Sequence, residues 1–139
     1  MKNNKLFIYC DGGARGNPGK AAAAFVVEKN GKVIVSKAVY LGIKTNNVAE
    51  YSAVILALEW LNVNKAVLED ETVFVLDSEL VVKQLNGLYK VKNEKLRGYY
   101  FSISKLLKTI PGKVIFTNVA RSKNKLADFL VNKKLDSYL

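Results

Sequence analysis

The sequence predicts an α/β fold built on one mixed, five-stranded sheet flanked by helices. Three observations carry this. The first third alternates short apolar, β-branched runs with tight turns, and contains an Asn30-Gly31 hairpin signal. The remainder alternates helical patterns with two further apolar strands. Both prolines, Pro18 and Pro111, fall in turns.

The elements follow in order. "KLFIYCD" (5–11) is a nearly continuous apolar run of β-formers, as a buried strand requires. "AAAAFVVEKNGKVIVSKAVYLG" (21–42) is two strands joined at Asn30-Gly31. "NNVAEYSAVILALEWLN" (46–62) repeats apolar residues at helical spacing, with Ser52, Glu59 and Asn62 on its expected wet face. "TVFVLD" (72–77) is a central strand, and "SELVVKQLNG" (78–87) a short helix stopped by Gly87. "KNEKLRGYYFSISKLLKTI" (92–110) is helical up to Pro111-Gly112, with Tyr99 or Tyr100 turned to the core. "KVIFTNV" (113–119) is the fifth strand, and residues 122–139 form a last helix with Ser122 as N-cap. The order β-β-β-α-β-α-α-β-α places three hairpin-linked strands before two that alternate with helices. The 139 residues show no repeat, no low-complexity tract and no linker, so one domain over 1–139 is expected.

Composition narrows the function. Net charge is +10, which suggests a polyanionic partner, although solubility alone also accounts for it. The distribution favours a partner. Lys83 to Lys108 holds seven basic residues against Glu94, and Lys113 to Lys134 holds six against Asp128. No run is long enough to span a bilayer and the start is too short for a signal peptide. A single cysteine, Cys10, suits a reducing cytoplasm. With no histidine in the chain, a Ser-His-Asp arrangement is excluded and zinc is poorly served.

Four carboxylates stand where carboxylates are costly. Asp11 ends the first strand at the glycine-rich "CDGGARGNPG", a segment that lacks the G-x-x-x-x-G-K-[ST] spacing of a phosphate-cradling loop. Glu50 lies within about 40° of Val54, Ala57 and Leu61 on the apolar stripe of its helix. Asp77 ends the "VFVL" strand, and Asp128 borders the apolar stripe of the last helix. Each has a plain alternative: an Asx-turn for Asp11, a helix-start acid for Glu50, an N-cap for Asp77, an ion pair with Lys125 for Asp128. Taken together they suit a hard cation such as Mg²⁺ or Mn²⁺.

These blocks also resemble the type 1 ribonucleases H, in an archaeal-type form, over Lys5 to about Asp136. "DGGARGNPG" resembles that family's opening loop, "TNNVAEYSAVILAL" its first helix, "LDSELVVKQLNG" its second acidic block and "NKLADFLVNKKLD" its last. The resemblance implies a ribonuclease H-like fold and an endonuclease that cuts the RNA strand of RNA–DNA hybrids with two Mg²⁺ ions, leaving 5′-phosphate and 3′-hydroxyl ends. It assigns Asp11, Glu50, Asp77 and Asp128 to metal binding and catalysis. It puts Arg121 where many bacterial members carry a histidine. Arginine cannot serve as a base at neutral pH, but it can hold a phosphate. It further implies RNA-strand contacts from Gly12, Gly13, Asn17, Asn47, Ser78 and Glu79, and a DNA-phosphate contact from Thr45 and Asn46. Lys90 and Lys92, with Lys95 and Arg97, would grip the DNA strand in place of a longer basic protrusion. The glycines are expected to let RNA approach the backbone. Double-stranded RNA is a second candidate substrate, a monomer is expected, and no membrane is involved. The alternatives are a non-catalytic nucleic-acid-binding module of the same fold and a strand-transfer or junction-cutting relative.

Overall fold

The computed structural model describes residues 4–138. Residues 1–3 of the expected domain, and the expected helix end at 139, lie outside them. Strands β1 (Lys5–Arg15), β2 (Gly19–Lys29) and β3 (Lys32–Lys44) form an antiparallel meander. Helix α1 (Asn46–Val63) leads through a 3₁₀ turn to strand β4 (Glu71–Leu76), followed by α2 (Glu79–Leu85) and α3 (Glu94–Leu107). Strand β5 (Lys113–Asn118), a second 3₁₀ turn (Arg121–Lys123) and α4 (Lys125–Asp136) complete the chain. The sheet order is β3-β2-β1-β4-β5, with β1, β4 and β5 parallel.

Alternation along β2 divides the molecule. Ala23, Phe25 and Val27 join Leu6, Ile8, Tyr51, Leu58, Phe74, Ile103 and Phe116 in the main core under α1 and α3. Ala22 and Ala24 point the other way, onto Val131 and Leu135 of α4. Asn30 and Gly31 both take positive φ (53° and 76°), the backbone a two-residue hairpin demands. Cys10 is buried and free, as expected of a core residue. Tyr99 and Tyr100 are both half-buried against the main core. Among the described residues no helix is long and apolar enough to cross a membrane.

Four expectations need correction. β1 runs on to Arg15, so Asp11 lies within a strand, not at its end: Asp11–Ala14 pair with the small Ala24–Ala21, and Arg15 with Lys20, so the glycine-rich segment continues as a hairpin. Ser52 is buried, not wet; its hydroxyl donates to the Val48 carbonyl at 2.7 Å, which satisfies it inside the helix. Glu50 is the fifth residue of α1, beyond the reach of an N-terminal capping role that Thr45 already fills. The N-cap position of the last helix is Asn124, which makes no side-chain cap bond, and Ser122 lies in the preceding 3₁₀ turn.

Candidate active site

The pairing of β1 with β4 ends at Tyr9–Val75. Two residues further, the same register sets Asp11 opposite Asp77, where the strands have separated and the side chains meet an opening in place of a ladder. Gly12 brings α1 to this point. A Cβ there would lie 2.2 Å from the Ala49 carbonyl carbon and 2.5 Å from the Glu50 nitrogen, so only glycine lets the helix pack this close. The glycine therefore serves helix packing and delivers Glu50 to Asp11. Asp128, the fourth residue of α4, comes from the opposite face of the sheet. Its backbone N–H donates to the Asn124 carbonyl, and the Asn124 amide donates to the Cys10 carbonyl at 2.8 Å.

All four carboxylates line one cavity of about 320 Å³, together with Gly12, Gly13, Arg15, Asn46, Arg121 and Asn132. A larger cleft of about 490 Å³ lies between α1 and α3, but its lining is Ile55, Tyr99 and Leu106 with Lys95 and Lys105 and carries no acidic cluster. Size does not mark the chemistry here.

The acidic cavity perturbs proton affinities. Burial raises Asp11 to about 8, helped by the neighbouring charges of Asp77, Asp128 and Glu50. Burial also raises Glu50 to about 7; the Ser78 hydroxyl draws it down, Asp77 pushes it up, and Arg121 pulls it down again. Asp77 is raised, again chiefly by burial, with Arg121 opposing. Glu50 Oε2 and Asp77 Oδ2 are buried without any hydrogen-bond partner. Such orphaned carboxylate oxygens are costly unless a cation or proton meets them. As they stand, among the described residues, no group of three or more acidic or thiol side chains is arranged to hold an ion. Like charges in one buried pocket repel, and a cation is the agent that would draw them together. The donor set is all carboxylate, which fits a hard divalent ion and excludes a soft one.

The other expected residues divide. Arg121 lines the cavity, with Nε 3.8 Å from Asp77 Oδ2; at 78% side-chain exposure it is free to turn toward a ligand. Asn17 and Asn46 spend their oxygens inside the protein: Asn17 Oδ1 accepts from the Asn46 N–H at 3.0 Å and Asn46 Oδ1 from the Ala14 N–H at 2.8 Å. Each oxygen thus has one bond inside the protein, and both NH₂ groups keep their donors. Thr45 accepts from the Val48 N–H and caps α1, and Ser78 accepts from the Val81 N–H and caps α2. Glu79 pairs with Lys83 at 2.6 Å. Asn47 is half-buried at the start of α1. Lys90 and Lys92 are exposed on the segment before α3 and stand outside the cavity lining. Asp128 makes no ion pair with Lys125; Asn132 donates to its Oδ1 at 3.3 Å. Sequence reasoning missed Asn124, Asn132 and Arg15. Only their position, one helical turn from Asp128 or at the end of β1, could have singled them out.

Comparison with known proteins identifies the family and the fold. Residues 9–134 match the reverse transcriptase-like family. The chain is 36% identical to ribonuclease HI of Halobacterium salinarum, across 97% of this chain and 66% of that one. It is 35% identical to the bifunctional protein Rv2228c of Mycobacterium tuberculosis, across 96% of this chain. It spans 36% of that protein and of the other mycobacterial relatives it matches, about a third of their length. The structure of LC11-RNase H1 in complex with an RNA/DNA hybrid superposes with a TM-score of 0.90 at 39% identity, covering 96% of this chain and 98% of that one. Fold and sequence agree, and the chain belongs to the type 1 ribonuclease H family.

Proposed function

We propose that the chain is an endoribonuclease that hydrolyses the RNA strand of RNA–DNA hybrids with two divalent ions, Mg²⁺ or Mn²⁺, leaving 5′-phosphate and 3′-hydroxyl ends. The observation that carries this reading is the convergence of Asp11, Glu50, Asp77 and Asp128 on one cavity in a protein of net charge +10. The hybrid seen bound to LC11-RNase H1 supports the substrate class.

Asp11, Glu50, Asp77 and Asp128 would hold the ions, with Glu50 Oε2 and Asp77 Oδ2, neither of them hydrogen-bonded, as ready donors. Bound divalent ions supply an activated water and neutralise charge on the departing oxygen. The protein does the rest. Arg121, exposed above Asp77, holds a phosphate oxygen; being always cationic, it orients and does not exchange protons. Asn17, Asn47, Gly12, Gly13, Ser78 and Glu79 follow the RNA strand, and Thr45 and Asn46 meet the DNA phosphate. Lys90 and Lys92 hold the DNA strand through charge. Double-stranded RNA is a second candidate substrate. The chain acts as a monomer of one domain in a reducing cytoplasm. A binding-only module of this fold could dispense with one of the acids, and all four are present.

The test is cleavage of end-labelled hybrid, double-stranded RNA, single-stranded RNA and DNA, each with Mg²⁺, Mn²⁺ or chelator. Metal-dependent cutting of the hybrid's RNA strand, with 3′-hydroxyl products, is expected. Binding of hybrid with no cutting under either metal would leave only the binding module.

A further inference from the structure

Of the four acids, Asp128 is held least directly. Asp11 lies in β1, Asp77 follows β4 and Glu50 is packed onto β1 through Gly12, all tied into the main core. Asp128 rides on α4, which meets the sheet through the small cluster of Ala22, Ala24, Val131 and Leu135. Apolar contacts of this kind set where a helix lies but leave a carboxylate free to rotate about its own bonds.

A polar relay removes that freedom. Asn132, one turn after Asp128, donates from Nδ2 to Asp128 Oδ1 at 3.3 Å and to the Asp128 carbonyl at 3.0 Å. On its other side it accepts from Arg15 Nη2, at its carbonyl (3.3 Å) and at Oδ1 (3.5 Å). The same Arg15 nitrogen pairs with Asp136 Oδ1 at 2.6 Å, one further turn along. Both ends of the Asn132 amide are thus used in one sense only: turning it over would set NH₂ against a guanidinium and oxygen against a carboxylate. Arg15 reaches from the end of β1, the strand that carries Asp11, so it ties the two acids' elements together across the cavity they share with Asn132.

The geometry points to Asn132 and Arg15 as positioning residues that fix the rotamer of Asp128 and leave its Oδ2 free for an ion. The inference rests on the proposed role of Asp128 as an ion ligand. Outer hydrogen bonds to ligating carboxylates typically change metal affinity or activity about 10–100-fold.

The experiment compares Asn132→Ala, Arg15→Ala, the double variant and Asp128→Asn. It reads kcat and KM on hybrid, and Mn²⁺ affinity by calorimetry on chelator-stripped protein. Asn132→Ala is expected to lower kcat and Mn²⁺ affinity at least about tenfold with KM within about twofold. The double variant is expected to match it, since both act through one carboxylate. Asn132→Asp, equal in size, replaces the donor with a repelling charge and is expected to lower the same two quantities even if Asn132→Ala folds poorly. The proposal is overturned if Asn132→Ala and Asn132→Asp leave kcat and Mn²⁺ affinity within about twofold while Asp128→Asn abolishes both. It is equally overturned if Arg15→Ala raises KM alone, which would make Arg15 a substrate contact. If Asp128→Asn itself retains activity and ion binding, the reading of Asp128 fails first, and the two failures are distinct.

Discussion

Carried two residues past its last pair, Tyr9–Val75, the register of β1 and β4 brings Asp11 level with Asp77, the residue that follows β4. A sheet would ordinarily fill such positions with side chains that tolerate contact. Here two carboxylates meet at its centre, Asp11 only 7% exposed. The placement costs stability unless a cation or proton intervenes.

The metal-free protein should therefore lose stability as pH rises. The folded state raises Asp11 to about 8 and Glu50 to about 7, above their unfolded values of 3.8 and 4.5. The folded form then binds protons more tightly than the unfolded form. Its advantage is full below about pH 4 and is lost as pH climbs to about 8. Urea unfolding in chelator should show this decline in the wild type. Asp11→Asn should be neutral near pH 4 and stabilising by roughly 1–4 kcal/mol near pH 9. A wild-type profile flat over this range would refute the account.

Divalent ions should reverse the penalty. At about pH 8, Mg²⁺ at 100 times its dissociation constant stabilises by about 2.7 kcal/mol, a rise in Tm of several degrees. Asp11→Asn and Asp77→Asn should both shrink that rise. An equal rise in all three proteins would place the ion elsewhere.

Gly12→Ala tests the packing that delivers Glu50. The added methyl meets the Ala49 carbonyl carbon at 2.2 Å, and backbone must move. Destabilisation of about 1–3 kcal/mol is expected, with loss of most hybrid cleavage. Gly13→Ala is the control: its nearest neighbour is the Val131 Cγ1 methyl at 3.8 Å, an ordinary contact. Thermal melts that do not separate the two variants would remove the close approach from the explanation.

Hybrid binding should weaken steeply with salt, with log affinity falling by about 0.9 per log unit of salt for each phosphate neutralised. Lys90→Ala and Lys92→Ala should each reduce that slope by about one and leave kcat unchanged at saturating hybrid. Unchanged slopes would take the exposed 90–92 segment out of the interface.

Much of this was legible in the residues. Element order followed from period and punctuation, because Asn30-Gly31 and Gly87 take the positive φ their turns need. Glu50 stood out because an acid on an apolar stripe violates the burial rule. Other features were not legible, for definite reasons. A strand that runs through Gly12 and Gly13 reads as a loop, because its stability comes from the pairing with Ala22 and Ala23 and not from propensity. Ser52 looked available for solvent, yet its hydroxyl serves α1. Arg15 and Asn132 are separated by 117 positions, and only the folded hairpin sets one against the other.

The seating of α4 has a further consequence. Its apolar anchor is the small cluster of Ala22, Ala24, Val131 and Leu135; the rest is polar or aromatic: a stacked pair between Tyr40 and Tyr138 at 3.8 Å, Lys20 bonded to the Tyr138 carbonyl at 2.6 Å, Arg15 paired with Asp136 at 2.6 Å and Asn124 bonded to the Cys10 carbonyl at 2.8 Å. An element with so small an apolar cluster beneath it is the first candidate for sub-global opening, ahead of the sheet and its larger core. On warming, amide protons of residues 125–136 should exchange sooner than those of α1, and turnover should vanish at temperatures where the far-ultraviolet spectrum is still that of the folded chain.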